Sequence, residues 1–457
     1  MAQGLFPQSL KRAKILPIFK RKDKLNIANY RPISILPVIS KVYETVFYSR
    51  LYDYFSNNIL SSSQFGFRSG ASTEHALLKF TDDILKCFDD KKVAIATFMD
   101  LSKAFDCVDH EILLTKLKRY GVHPTPVRWI SSYLSSREHF VSWNQIQSTS
   151  LNLNIGVPQG SILGPLLFLI YINDIVNSSN ILSFVLFADD TTVYIQNDSI
   201  DDAIDILNTE LAKVALWFDS NKLTLNVSKT QMIMLSRKKI LTPHNEVTLR
   251  NEVVQRVNKA KFLGVIVDQH LNWKDHISMI AQKISKSCGI IYRIRNTLDI
   301  KSKRLIYYSL IHPYLTYCVN VWSSTYQTNL KNLCTAQKRS VRALFATAQQ
   351  PHSRDIFFNQ KILPLNKLIN QQEGILAYKV ISGTYLLGDI LTDRHDLQHY
   401  QLRNNENLRI PLHSTTHSQL FIRYRAIKTW NSLPDDLRSA SSLPCFRKKL
   451  KLMLHQQ

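Results

Sequence analysis

Three short apolar runs in this chain border on acids, and that pattern limits what it can fold into more than any other feature. Val93 to Met99 is rich in β-branched residues, reads as a buried strand, and stops at Asp100. Ile181 to Ala188 and Thr191 to Ile195 flank Asp189-Asp190 and read as the arms of a β-hairpin. A strand interior buries side chains on both faces, and its end can put a carboxylate on the rim of the core. If the two elements are neighbours, Asp100, Asp189 and Asp190 converge at one edge of a sheet. Left alone, such carboxylates repel and some of them protonate. A divalent cation removes the conflict, and hard oxygen donors in an incomplete protein shell suit Mg²⁺ bound together with a triphosphate. The competing reading makes these aspartates turn and cap residues, a common role for Asp. A two-residue hairpin turn, however, favours Asn-Gly or Asp-Gly over Asp-Asp. Spacing alone leaves both readings open.

The elements around these runs follow from ordinary sequence signals. Ile39, Val42, Val46, Leu51 and Phe55 are spaced to share one broad helical face, and a second helix is predicted over 73–89. Asp109 is placed to cap a helix through Arg119, which Gly121 terminates. Strand-like segments around 138–155 lead into Gly156-Val157-Pro158-Gln159-Gly160-Ser161, and Gly164-Pro165 opens an apolar helix to Ile175. Ser199 with Asp202 resembles a capping box for a helix carrying Ile204, Leu207, Leu211, Val214 and Phe218. Strands are predicted at 223–235 and 260–267, helices from 275 to about 350, and a mixed segment to the end.

Composition narrows the partner. The 457 residues include 58 Lys and Arg against 35 acids, a formal net charge of +23. Such an excess repels itself in a folded chain, and a polyanion relieves it; nucleic acid fits best, an anionic membrane surface less well. The six cysteines (Cys87, Cys107, Cys288, Cys318, Cys334, Cys445) contain no CxxC or CxxH pair, which argues for free thiols and against a zinc knuckle. The N-terminus has no apolar signal region, and Leu166 to Ile172 is too short to span a bilayer, so an intracellular, soluble chain without a membrane partner is expected.

The ordered motifs resemble a known family, the reverse transcriptases of non-LTR retrotransposons (LINE elements) of the jockey and CR1 type. Phe98-Met99-Asp100-Leu101-Ser102-Lys103-Ala104-Phe105-Asp106 is similar to the first catalytic motif of the polymerase palm. Gly156 to Ser161 is similar to the second, Phe187-Ala188-Asp189-Asp190 to the third, and Leu225-Asn226-Val227-Ser228-Lys229-Thr230 to the fourth. Phe262-Leu263-Gly264-Val265 resembles the primer-grip hairpin, while Asn29-Tyr30-Arg31-Pro32-Ile33-Ser34 and Gln64-Phe65-Gly66-Phe67-Arg68 resemble fingers motifs. Trp430-Asn431-Ser432-Leu433-Pro434 is similar to the C-terminal ends of these elements.

The resemblance implies an α+β fold: a right-handed polymerase with fingers and a palm of antiparallel sheet backed by helices, then a helical thumb and a C-terminal extension. The implied division is 1–268, 269–350 and 351–457. It implies an RNA-directed DNA polymerase working on an RNA template and a DNA primer or target with dNTPs and Mg²⁺, or Mn²⁺. Asp100, Asp189, Asp190 and the Leu101 carbonyl would hold metal. Arg68, Phe105, Gln159, Gly160 and Lys229 would serve the dNTP: Arg68 on the triphosphate, Phe105 against the sugar, Lys229 as an acid toward pyrophosphate. Arg31 would act in the fingers or on the template, and Phe262, Leu263 and Gly264 would form the primer grip. Lys283, Lys286, Arg293, Arg295, Lys301, Lys303 and Arg304 could follow a duplex backbone. The motifs begin almost at Met1, so an endonuclease is expected to come from another chain or a missing domain. A non-catalytic nucleic-acid-binding remnant is the alternative reading. Nuclear or cytoplasmic action is implied by the resemblance alone.

Overall fold

The computed structural model describes residues 3–20, 23–143, 146–238, 245–346, 352–383, 407–410 and 418–456. Strands β1 (Arg12–Phe19) and β2 (Tyr30–Ile35) pair antiparallel, with Leu16 opposite Ile33. Helix α1 (Val38–Asn58) follows, then α2 (Thr73–Asp89), whose N-cap Ser72 accepts the His75 N–H. The predicted strand is β3 (Val93–Met99). Asp109 caps α3 (His110–Arg119), accepting the N–H groups of Glu111 and Ile112. Helix α4 (Pro124–Leu134) has no counterpart among the sequence expectations and buries Val127, Trp129, Ile130, Tyr133 and Leu134. Strands β4 (Arg137–Trp143), β5 (Ile146–Gln147) and β6 (Leu151–Leu153) complete a fingers sheet in which β4 runs parallel to β1. Helix α5 (Leu163–Ile172) is buried on every side, which is why it is apolar all round.

The palm follows. Strands β7 (Ser183–Phe187) and β8 (Asp190–Asn197) form the hairpin, and Ser199 caps α6 (Ile200–Ser220). Strand β9 (Gln231–Leu235) is shorter than the 223–235 prediction, because Val227–Lys229 turns as a 3₁₀-helix. The short strands β10 (Thr248–Leu249), β11 (Glu252–Val253) and β12 (Gln255–Arg256) precede the hairpin of β13 (Lys259–Phe262) and β14 (Val265–Asp268). The palm sheet has the order β12-β9-β3-β8-β7 and is antiparallel except where β12 joins β9. Its central strand β3 alternates between two cores. Ala94 and Ala96 face one with Tyr194, Ile233 and Leu235; Ile95 and Met99 face the other with Val193, Met232 and Met234.

The rest of the described chain is helical: α7 (Lys274–Ile294), α8 (Ile300–Leu310), α9 (His312–Thr316), α10 (Val319–Trp322), α11 (Gln327–Phe345), α12 (Ser353–Asn359), α13 (Leu365–Ile381), α14 (Ile422–Asn431), α15 (Asp435–Arg438) and α16 (Leu443–Gln456). These helices share the first core with α2 and the β13–β14 hairpin. All six cysteines are free. Among the described residues no helix is long and apolar enough to cross a membrane.

One expectation fails in an instructive way. Leu51 and Phe55 of α1 are buried, but Ile39, Val42 and Val46 are 61%, 58% and 42% exposed. The first turns of α1 bury Ser40 and Glu44 instead. Those polar side chains have partners inside, and helix rotation cannot bury both stripes.

Candidate functional site

The hairpin builds the acidic tip. Phe187 pairs with Asp190, so the two-residue turn is Ala188-Asp189 and Asp190 belongs to β8. The sequence had put both acids between the arms; the strand register shifts the turn back by one residue. Ala188 has φ +56°, a conformation that favours glycine at the first central position of such a turn. A neighbouring loop holds this backbone in place. Phe65 N–H donates to Leu186 O at 2.8 Å, and Leu186 N–H to Ser63 O at 2.9 Å. The buried Gln64 Oε1 accepts both Gly66 N–H (2.8 Å) and Ala188 N–H (3.1 Å). Gly66 must be glycine here, since a Cβ would lie 2.2 Å from the Ala188 nitrogen.

Asp100 stands in a different frame. It follows β3, which is paired on both sides by β8 and β9. Asn226 N–H donates to Asp100 O at 2.9 Å and Ser102 N–H to Thr224 O at 2.9 Å, flanking an antiparallel bridge between Leu101 and Leu225. In that pattern the Leu101 carbonyl is not spent on the ladder. The same pairing delivers Lys229, whose Nζ lies 2.8 Å from Asp100 Oδ2.

The 156–161 loop is bound to the segment after Asp100. Val157 N–H donates to Phe105 O at 2.9 Å, and Gln159 Nε2 to Asp106 Oδ1 at 2.7 Å. Phe105 is half-buried, stacked on Phe168 with ring centroids 4.6 Å apart. Ser34 of β2 donates its N–H to Gln159 O at 2.7 Å. Gly160, at φ +118°, lies so close to β2 that a Cβ would be 2.7 Å from Ser34 O.

The electrostatics tie these pieces together. Burial holds the Asp189 carboxyl above the usual carboxylate range and Asp100 pushes the same way, while Arg31 and Lys20 pull it back. Asp190 is pushed up to about 6 by surrounding protein, then by Asp189 and Asp100, although much of its surface stays open to water. The three acids therefore feel one another. Among the described residues no three His, Cys, Asp or Glu side chains stand as a ready metal set, so the carboxylates are neighbours rather than a finished cage. Mutual repulsion is what a divalent cation would relieve, so the donor set fits a hard ion.

Arg68 is placed less directly: its Nη1 donates to Ser61 O at 2.7 Å. Lys20, which the sequence motifs do not single out, joins Arg31 in acting on Asp189. Gln64 was quoted within its motif but its brace on the hairpin was not legible. At the other hairpin, Phe262 is buried against Phe98 (centroids 5.2 Å) and Phe80 (5.6 Å). The Leu263 carbonyl accepts the Tyr317 hydroxyl at 2.7 Å, and the Tyr317 ring covers Gly264. Tyr317 lies some fifty residues downstream in a helical stretch, and no local signal marks it.

Residues 19–267 match the model of the reverse transcriptase (RNA-dependent DNA polymerase) family. The chain belongs to that family. It is 30% identical over 353 residues to the probable RNA-directed DNA polymerase from transposon BS of Drosophila melanogaster, covering 74% of this chain and 39% of the relative. The RNA-directed DNA polymerase from mobile element jockey of the same fly is 29% identical over 382 residues, 80% of this chain and 41% of the relative. Within that family it is similar to the polymerases of jockey-like non-LTR (LINE-type) elements. The chain spans about two fifths of the length of these curated relatives. Among solved structures, apo telomerase from Candida tropicalis is 12% identical with a TM-score of 0.44, covering 79% of this chain and 62% of that one, too loose an overlap to carry an argument. Reverse transcriptases as a rule depend on divalent metal.

Proposed function

We propose that this chain is an RNA-directed DNA polymerase that extends a DNA primer on an RNA template with dNTPs. The observation that carries the proposal is the meeting of Asp100, on a doubly paired strand, with Asp189 and Asp190 on a braced hairpin inside the family-matched segment. In this reading Asp100, the Leu101 carbonyl, Asp189 and Asp190 hold two Mg²⁺ ions, with Mn²⁺ as substitute. Such ions lower the pKa of an attacking hydroxyl and stabilise leaving pyrophosphate.

The chain's own side chains supply position and charge, which is most of what phosphoryl transfer asks of a protein. Arg68, anchored on Ser61, is the cation for the triphosphate, while Arg31 acts in the fingers or on the template and, with Lys20, brings positive charge toward Asp189. Phe105, locked on Phe168, meets the nucleotide sugar and disfavours a ribose 2′-hydroxyl. Gln159 and Gly160 line the nucleotide and template base. Lys229, paired with Asp100, is the acid for departing pyrophosphate. Phe262, Leu263 and Gly264 steady the primer end, with Tyr317 behind them. Exposed Lys283, Lys286 and Arg293 on α7 follow the duplex backbone in a salt-sensitive way.

We assign residues 1–268 to fingers and palm, 269–350 to the thumb and 351–457 to the extension. The work is intracellular, in nucleus or cytoplasm. The test is extension of a DNA primer on RNA by wild type and Asp189→Ala, with dNTPs and rNTPs in parallel. Metal-dependent extension that prefers dNTPs and drops at least ~10³-fold in the variant is expected. Equal incorporation by both proteins would reject the site assignment, and RNA binding without extension would reject the polymerase and leave a binding remnant.

A further inference from the structure

The polar stripe that α1 buries has a specific address. Glu44 is 0% exposed. Its Oε2 accepts Ile162 N–H at 2.7 Å and Leu163 N–H at 3.2 Å, while Oε1 accepts the Ser40 hydroxyl at 3.0 Å. Ile162 and Leu163 open α5, where backbone donors have no partner within the helix. The remaining donors there are accounted for: Gly164 N–H goes to the Ser161 hydroxyl at 2.9 Å, and Pro165 has none. Glu44 therefore brings a negative charge from another helix onto the positive end of α5, with charge-assisted hydrogen bonds in a dry setting.

The position matters more than the cap. Gln159 and Gly160, just ahead of these donors, are held from the other side by Ser34 through the Gln159 carbonyl and the close approach at Gly160. Ser34 and Glu44 belong to one continuous fingers stretch, β2 followed by α1. That stretch grips the 159–163 segment at both ends. A displacement of α1 carries the turn with it, and with the turn goes the Gln159 side chain on Asp106, beside Phe105.

We propose that Glu44 is a positioning residue for the incoming nucleotide: its carboxylate fixes the start of α5 to the fingers and so sets where Gln159 and Gly160 stand. The proposal rests on the polymerase reading of the site. A cap with no such role would change melting and leave nucleotide affinity alone.

The test compares wild type with Glu44→Gln, which keeps the shape but removes the charge, and with Ser40→Ala, which only frees Oε1. Steady-state primer extension yields KM for dNTP and kcat, and a gel shift yields affinity for primer–template. The expected result is a KM for dNTP raised about tenfold in Glu44→Gln, equivalent to ~1.4 kcal/mol. Ser40→Ala should raise it by a smaller factor in the same direction. In both, kcat and primer–template affinity should stay within about twofold, because the carboxylates and duplex contacts are untouched. A KM unchanged in Glu44→Gln, or a loss confined to kcat, overturns the positioning role. If Glu44→Gln does not fold, Ser40→Ala decides by the same criterion. Wild type that extends no primer would instead reject the polymerase reading on which the role depends.

Discussion

Asp190→Asn should stabilise the metal-free protein at neutral pH while removing a proposed metal ligand. The Asp190 carboxyl goes from 3.8 in its ordinary setting to about 6 in the fold, through its surroundings and the charges of Asp189 and Asp100. A raised acid pKa means that the folded state binds the proton more tightly. Its stabilising contribution is therefore complete below pH 4 and is lost as pH rises through about 6. Taken at face value the rise is worth about 3 kcal/mol. Because the residue is exposed, solvent screening reduces this to roughly 1 kcal/mol. Asparagine keeps the shape of the protonated acid without the charge, so the variant escapes that penalty at pH 7.

The assay is thermal melting of wild type and Asp190→Asn in chelator, from pH 4 to pH 8. The two should melt together near pH 4, and the variant should lead by roughly 1–2 °C at pH 7.5, given the size of the chain. Added Mg²⁺ should reverse the order, since an ion that binds only the folded wild-type site stabilises it by mass action. A variant that melts below wild type at pH 7.5 in chelator would refute the reasoning. So would a difference that ignores pH, because the penalty would then not come from ionisation.

Two other perturbations test the frame around the site. Gly66→Ala places a Cβ against Ala188 N and Phe187 C, so it should cost about 3 kcal/mol and weaken extension by displacing the hairpin; unchanged melting would show that the loop does not brace the hairpin. Arg425→Met removes a guanidinium that bonds Glu373 (2.7 Å), Ser323 (2.8 Å) and the carbonyl of Asn320 (2.7 Å), leaving Glu373 buried with its charge. It should lower stability by about 3–5 kcal/mol, read by denaturation, and a loss under 1 kcal/mol would mean that water reaches Glu373.

What the sequence showed and what it hid follow from the range of each interaction. Helix α2 and strand β3 are read to the residue because their periodicity and caps are local, and Asp109 announces α3 through its own side chain. The motif acids stood out because they border apolar strands, but spacing left cap and metal readings open, and only the ordered motifs of the resemblance favoured a site. The face of α1 was misread because its inward stripe is chosen by Glu44 meeting α5 from more than a hundred residues away, and an exposed valine at the right spacing looks the same as a buried one. The hairpin turn was displaced by one residue because register depends on how Phe187 and Asp190 pair, not on which acid is more turn-prone. Tyr317 escaped notice for the same reason as Glu44: its partner, the Leu263 carbonyl, is supplied by a distant hairpin.

The three carboxylates differ in how firmly the fold commits them, and that difference follows from where each strand lies in the palm sheet. Asp100 leaves the central strand, with β8 and β9 on either side and Asn226 bonded to its own carbonyl, so its backbone has little room to shift. Asp189 hangs in a two-residue turn that begins on the edge strand β7, where one side of the ladder is β8 and the other is the Gln64–Gly66 loop. That loop comes from the fingers motif, not from the palm. One acid is fixed by the sheet and the other two ride on a hairpin whose outer support lies outside it. A site of this kind can hold its acids apart while they repel and still leave them close enough for a cation to join. The central strand supplies the fixed side of the acidic cluster, and Gln64 and Gly66 set the adjustable side.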